Sequence, residues 1–412
     1  MQKDLTRLLR DPNLIPSEKQ NLLSDIAAQA EALGMPCYVV GGFVRDLLLG
    51  QSINDFDIVV EGDAIKLGKS LVKEYGGKLT PHYKFHTAIW HLPLTFNVQR
   101  ATLDLITARS ETYPHPGALP TVKPSTIDDD LRRRDFTINA MAVRLDGDHF
   151  GELLDPLNGQ ADLEKKIIRV LHPRSFIDDP TRIFRAVRYE QRYSFRFELS
   201  TLNAQPAIFS PLSGERIRHE FDLIFAEENS AAMFARLHEL GVLDALNLPT
   251  FNTDYANLLK SVASAEFGVT FDQVTAGWML WLLDSPEAAA QSISKRLNFS
   301  SALSQACMSV IQLKADLPAL KNSKPSEWTF HLEDIPSIAI YVFWLVSHEP
   351  ALKEFLVNWR HIKPATTGSD LKARGLKPSP RYGQILASLR AAWLDGEVKS
   401  VEEEEEKLRG FL

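Results

Sequence analysis

Apolar positions along this chain change period as it proceeds, and the changes mark its elements. Over residues 17–33, Leu22, Leu23, Ile26, Ala27 and Ala30 recur at helical intervals and predict an amphipathic helix. Short apolar runs at 37–40, 56–60, 87–90 and 103–107 predict strands, and a helical pattern returns over 62–75 before Gly76-Gly77. This alternation predicts a small mixed β-sheet with helices packed on it. From Leu163 onward helical periods dominate, apart from a possible strand at 167–171, so the expected class is α+β with an all-α second half. Turn-rich seams fall at 155–159, 210–214, 323–325 and 363–380, and no repeat period is evident.

Residues 109–130 break the pattern. Pro114, Pro116, Pro120 and Pro124 predict a segment without regular structure, and a loop of that length beside a strand is expected to serve function.

Composition narrows the class. The chain has 412 residues, 44% hydrophobic and 24% charged, enough for two to four domains of ordinary character. With no apolar run of membrane-spanning length and no signal-peptide pattern after Met1, the expected location is the cytoplasm. Cys37 and Cys307 both lie in apolar surroundings, which predicts buried thiols and neither a disulfide nor a zinc site. A net charge of −7 excludes bulk electrostatic coating of nucleic acid, so any RNA contact must be a local patch. Arginines do cluster, at 132–134 and at Arg182, Arg185, Arg188, Arg192 and Arg196. The acidic run Glu402 to Glu406 reads as a solvated helix face. His82 and His86 lack a third ligand nearby and read as ordinary strand or loop residues.

The chemistry concentrates where Tyr-Val-Val-Gly-Gly-Phe-Val-Arg-Asp-Leu-Leu-Leu-Gly is followed by Asn-Asp-Phe-Asp-Ile-Val-Val. A glycine pair after a strand is by itself a turn, and Asp-x-Asp by itself a solvated pair. In this order they fit a nucleotidyl-transfer site. Gly41 and Gly42 let backbone N–H groups close on a triphosphate, and Asp55 and Asp57 supply hard oxygens for Mg²⁺. In an extended segment i and i+2 share a face, so both carboxylates can reach a metal pair while Phe56 turns toward the core.

This run resembles the polymerase β-like nucleotidyltransferase superfamily, in the form found in class II tRNA nucleotidyltransferases and bacterial poly(A) polymerases. The resemblance covers residues 35–225 and implies a third metal carboxylate on a neighbouring strand, for which Asp104 in Leu-Asp-Leu-Ile-Thr is the candidate. It implies that Arg-Arg-Asp-Phe-Thr-Ile-Asn binds the incoming nucleotide, with Arg134 near the phosphates and Asp135 and Asn139 near the sugar. Arg45 and Arg185 are grouped with these nucleotide-binding residues. Asp179 and Arg182, three apart on a predicted helix, could read the Watson–Crick edge of C or A and refuse G and U, whose polarity is opposite. Asp179 before Pro180 also fits a helix start, and Asp178 stands where the family commonly has glutamate. Gly214-Glu215-Arg216-Ile217-Arg218-His219-Glu220 resembles a segment that steadies the neck helices; it reads equally as a helix start with charge pairs.

The resemblance implies a head at 1–155, a base-reading neck at 156–225 and a body and tail at 226–412 that hold the acceptor arm of tRNA. It implies transfer of CMP and AMP from CTP and ATP to an RNA 3′-hydroxyl without a template. CCA addition is the first expectation. Partial CC or A addition, which would need a second nucleotidyltransferase as partner, comes next, then poly(A) synthesis or a non-catalytic RNA-binding relative. Residues 113–122 lack the Asp-Gly-Arg-Arg-Pro type of sequence common in complete CCA-adding members.

Overall fold

A computed structural model describes residues 4–53, 56–96, 102–112, 115, 117, 120–198, 206–260 and 263–411. The chain divides into two compact units, Met1–Leu212 and Ser213–Leu412. The division falls within the seam expected at 210–214.

The strands of the first unit are β1 (Cys37–Val40), β2 (Asp57–Val60), β3 (Lys78–His82), β4 (Thr87–His91), β5 (Thr102–Thr107), β6 (Arg109–Thr112), β7 (Thr121–Pro124), β8 (Ala142–Arg144), β9 (Leu153–Leu154), β10 (Ile167–Ile168) and β11 (Arg196–Phe197). Seven of them form one mixed sheet in the order β3-β4-β5-β2-β1-β8-β9. The β2–β5 pair is parallel and its other neighbours are antiparallel. β10 pairs with β11 in parallel.

Side-chain alternation gives this sheet two faces. Cys37, Val39, Ile58, Val60, Leu103 and Leu105 enter the larger core, where helices Ser17–Ala32 and Ala64–Tyr75 contribute Leu22, Ile26, Leu67 and Leu71. Phe56 is buried in that core too, as its place between the two aspartates predicts. Tyr38, Val40 and Val59 enter a smaller cluster on the opposite face with Ile127, Leu131 and Ala142. The Ala64–Tyr75 helix starts where Asp63 accepts from the Ile65 and Lys66 N–H groups at 2.9 and 3.1 Å, and stops at Gly76 with φ of 84°.

Residues 109–130 depart from expectation. β6 and β7 pair from Arg109↔Pro124 to Thr112↔Thr121, and the helix Ile127–Arg132 follows. The prolines permit this because Pro124 is the last residue of its strand in a two-stranded ribbon, where a missing N–H costs little. β3 was not expected, having Pro81 within it; it is the edge strand of its sheet, where proline is tolerated.

The second unit is helical throughout its described residues. Phe221 and Phe225 on helix Gly214–Phe225 meet Phe234, Trp278 and Trp281 at centroid distances of 4.7–6.0 Å. A Cβ on Gly277 would lie 2.2 Å from the Phe225 ring, so this helix approach demands glycine. The acidic run forms helix Val401–Arg409, but Glu404 is 1% exposed, a correction to the solvated-face reading. Its carboxylate accepts from the N–H groups of Ala365 and Thr366 at 2.9 and 2.7 Å, from Thr366 Oγ1, and from Trp393 Nε1. Cys37 and Cys307 are buried free thiols, and burial pushes Cys307 up to about 12.

Candidate active site

Strand register brings two of the expected carboxylates together. Asp57 opens β2 and pairs directly with Asp104 of β5. Asp57 alternates with Ile58 and therefore lies on the face of Val59; Asp104 lies on the face of Ile106, opposite Leu103 and Leu105. Both carboxylates thus leave the sheet on the side away from the larger core. Burial pushes Asp57 above the usual carboxylate range, the Asp104 charge adds to this, and Arg134 pulls it back. Asp55 lies outside the described residues. Among the described residues no group of three or more His, Cys, Asp or Glu side chains gathers as a ligand set.

The glycine turn stands next to this pair. Gly41 takes φ 66° and ψ −121°, a conformation closed to residues with a Cβ, and its N–H donates to the Met141 carbonyl at 2.9 Å. A Cβ there would lie 2.7 Å from Arg134 Nη1, so the guanidinium rests against the turn. Helix Gly42–Leu48 begins at this point. Arg134 is held from behind by Asp130, which is 0% exposed and accepts Arg134 Nη2 at 2.9 Å and Arg133 Nη2 at 2.7 Å. Arg133 also reaches Glu111 of β6 at 2.8 Å, which ties the hairpin into the same cluster. Among the described residues Arg134 Nε is buried with no hydrogen-bond partner. Burial opposes the Asp130 charge, yet Arg134 and Arg133 hold its carboxyl below the usual range.

A second chain of bonds joins Arg45, Asn139, Asp135 and Arg185. Arg45 Nη1 donates to Asn139 Oδ1 at 2.7 Å, and Asn139 Nδ2 donates to Asp135 Oδ1 at 3.0 Å. Asp135 Oδ2 accepts Arg185 Nε and Nη2 at 2.8 and 2.6 Å. Burial opposes the charge of Asp135, and Arg185 with Asn139 outweighs it, so its carboxyl sits below the usual range. Arg45 and Asp57 line one cavity of about 490 Å³, together with Gly42, Asp46, Ser52 and Arg192.

Of the two residues expected to read the base from one helix, only Arg182 lies on helix Thr181–Tyr193; Asp179 precedes it in extended backbone (φ −140°, ψ 96°), which corrects the shared-helix expectation. Asp179 Oδ1 accepts from Thr181 N–H at 3.2 Å and Thr181 Oγ1 at 2.7 Å, so its helix-start role is realised. Arg182 is 6% exposed and donates to Ser175 Oγ at 3.1 Å and the Arg133 carbonyl at 3.0 Å. That carbonyl bond connects helix Thr181–Tyr193 to the Arg-Arg-Asp segment. Glu215 to Glu220 lie on Gly214–Phe225 in the second unit.

Residues 37–169 match the family model described as the poly A polymerase head domain, and residues 208–254 match a probable RNA and SrmB-binding site of polymerase A. An A-adding tRNA nucleotidyltransferase of Halalkalibacterium halodurans is 33% identical over 410 residues, covering 97% of this chain and 94% of that protein. The chain belongs to the tRNA nucleotidyltransferase family. Another family member, the A-adding enzyme of Aquifex aeolicus, is 49% identical over 164 residues, which are 40% of this chain and 19% of that protein. Among solved structures, the Thermotoga maritima CCA-adding enzyme complexed with tRNA superposes with a TM-score of 0.76 at 30% identity, covering 99% of this chain and 98% of that one. The α+β class expected from the sequence agrees with this fold.

Several site residues escaped sequence reasoning: Asp46, Glu111, Asp130, Tyr189 and Tyr193. Asp130 carried a signal, since it ends an Asp-Asp-Asp run two residues before Arg132. Tyr189 and Tyr193 are four apart on a helix and share a face with Arg185 and Arg182 by the same spacing rule. Glu111 pairs with Arg109 two residues away, but nothing in the sequence joins it to Arg133, 22 residues away.

Proposed function

We propose that this chain is a nucleotidyltransferase that adds a single AMP from ATP to tRNA already ending in CC. The observation that carries the product choice is residues 113–122, which lack the sequence type of complete CCA-adding members, and the A-adding names of the Halalkalibacterium and Aquifex relatives support it. Full CCA addition is the second reading, favoured by the likeness to the Thermotoga enzyme. An A-adding enzyme needs a partner that supplies the CC end.

Asp57 and Asp104 fit a divalent metal, since two carboxylates set in register in a partly dry site are hard ligands whose mutual repulsion a cation relieves. With Asp55 they form the ligand set in this reading. Bound Mg²⁺ supplies Lewis-acid activation of the tRNA 3′-hydroxyl and neutralisation of the departing pyrophosphate. Gly41 and Gly42 receive the triphosphate, and the unpartnered Nε of Arg134 suits an anionic neighbour. Asp135 and Asn139 face the sugar. Asp179 and Arg182 read the base edge. Residues 226–412 hold the acceptor arm, and the enzyme works in the cytoplasm; no helix among the described residues is long and apolar enough to cross a membrane.

The test is to give the purified protein tRNA transcripts ending before CCA, after C and after CC, each with CTP, ATP or both. One A on the CC-ending transcript alone is expected. CCA on the first transcript overturns the A-adding reading in favour of the second, and long A tails on unrelated RNA favour a poly(A) polymerase.

A further inference from the structure

Arg45 is 5% exposed, and its guanidinium carbon lies 5.2 Å from the Tyr189 centroid and 4.7 Å from that of Tyr193, two neighbouring rings 6.1 Å apart that cover it from one side. Its Nε and Nη2 bind the Asp46 carboxylate at 2.8 and 2.9 Å, and Tyr193 Oη donates to Asp46 Oδ1 at 3.1 Å. Only Nη1 points toward the nucleotide residues, and it donates to Asn139 Oδ1. Arginine has no acceptor, so this bond forces the Asn139 amide to show its oxygen to Arg45 and its nitrogen to Asp135. An ionised Asp135 accepts only, which agrees with that orientation. Its two oxygens already take four N–H groups, from Phe136, Asn139 and twice from Arg185. A carboxylate offers about four lone-pair directions, so a sugar hydroxyl gains little from Asp135 itself. The remaining hydrogen-bonding capacity of the pair belongs to the Asn139 amide.

We propose that Tyr189 and Tyr193 are positioning residues for ribose selection: packed on one side of Arg45, they complete with the Asp46 carboxylate a clamp that fixes Arg45 and, through it, the Asn139 amide that recognises a sugar hydroxyl. Arg45 then acts through Asn139 and is not a phosphate ligand. The inference rests on the nucleotidyl-transfer reading of this site. A mobile amide would satisfy ATP and dATP alike, whereas a fixed amide penalises the sugar that leaves it unpaired.

The experiment compares kcat/KM for ATP and dATP on a CC-ending tRNA. Wild type is expected to prefer ATP. The Tyr189→Leu/Tyr193→Leu double variant is expected to lose about tenfold of that preference, the scale of one hydrogen bond's discrimination. Tyr193→Phe keeps a ring over Arg45 and is expected to keep the preference. Arg45→Lys, which lacks the planar fork, is expected to lose it even if the double variant does not fold. An unchanged ATP/dATP ratio in the folded double variant or in Arg45→Lys overturns the proposal, as does equal use of the two nucleotides by wild type. If wild type transfers no nucleotide, the functional reading fails instead. Titration of ATP and dATP binding to the same variants then decides the clamp, a common affinity ratio refuting it.

Discussion

Asp57 and Asp104 stand directly opposite one another on parallel neighbouring strands, two carboxylates on one face of one sheet. Such a pair repels itself, and the proposed metal role predicts that a cation relieves the repulsion. Asp57→Asn and Asp104→Asn are each expected to cost several kcal/mol of transition-state stabilisation, about a thousandfold in rate. The apo Asp57→Asn protein is expected to melt no lower than wild type, because a like-charge contact is relieved. Added Mg²⁺ is expected to raise Tm in wild type and in neither variant. Wild-type turnover, or equal Mg²⁺ stabilisation in all three proteins, would dismiss the metal assignment.

Gly41→Ala puts a methyl group 2.7 Å from Arg134 Nη1 in a backbone conformation reserved for glycine. The strain is about 1–3 kcal/mol. We expect a raised KM for the nucleotide with tRNA affinity unchanged, as Arg134 is displaced from the turn. Steady-state kinetics alongside tRNA filter binding would check this, and an unaltered nucleotide KM would count against it.

Asp130 connects stability to pH. Its folded pKa is depressed below the ordinary 3.8 by Arg134 and Arg133 against the opposing effect of burial. The stability it contributes is therefore present above 3.8 and is lost as pH falls through the lower folded value. Asp130→Asn breaks a buried ion cluster and is expected to cost about 3–5 kcal/mol at neutral pH. The gap between the melting curves of the two proteins should narrow as pH falls from 7 to 3, mostly below 3.8; a constant gap would refute the assignment.

Glu404 and Glu402 separate one acidic run into two roles. Glu404→Ala strands the Ala365, Thr366 and Trp393 donors in a buried place, at about 1–3 kcal/mol for each unpaired group. Glu402 is exposed, and its replacement by alanine is expected to fall within about 0.5 kcal/mol. Urea unfolding of the two variants distinguishes them, and equal midpoints would return the whole run to solvent.

By itself, the sequence determined the elements and the chemistry that local spacing can carry. Period and β-branched runs located β1, β2, β4 and β5 and the helices beside them, because side-chain alternation is a property of the strand alone. The Gly41-Gly42 pair by itself reads as a turn, and Asp104 is singled out by the order of motifs in the resemblance, since an aspartate in a strand carries no local mark of its partner. Tertiary structure decided what depends on register and distant partners. Asp104 meets Asp57 only because β2 and β5 run parallel with those residues opposed. Pro124 sits in a hairpin because Arg109 lies across from it. Glu404 is buried because Thr366 and Trp393 surround it, and Arg45 meets Asn139 because the fold brings together residues 94 apart in the chain. A charge or an aromatic ring has the same letter in solvent and in a clamp; its partners, brought from far along the chain, settle which it becomes.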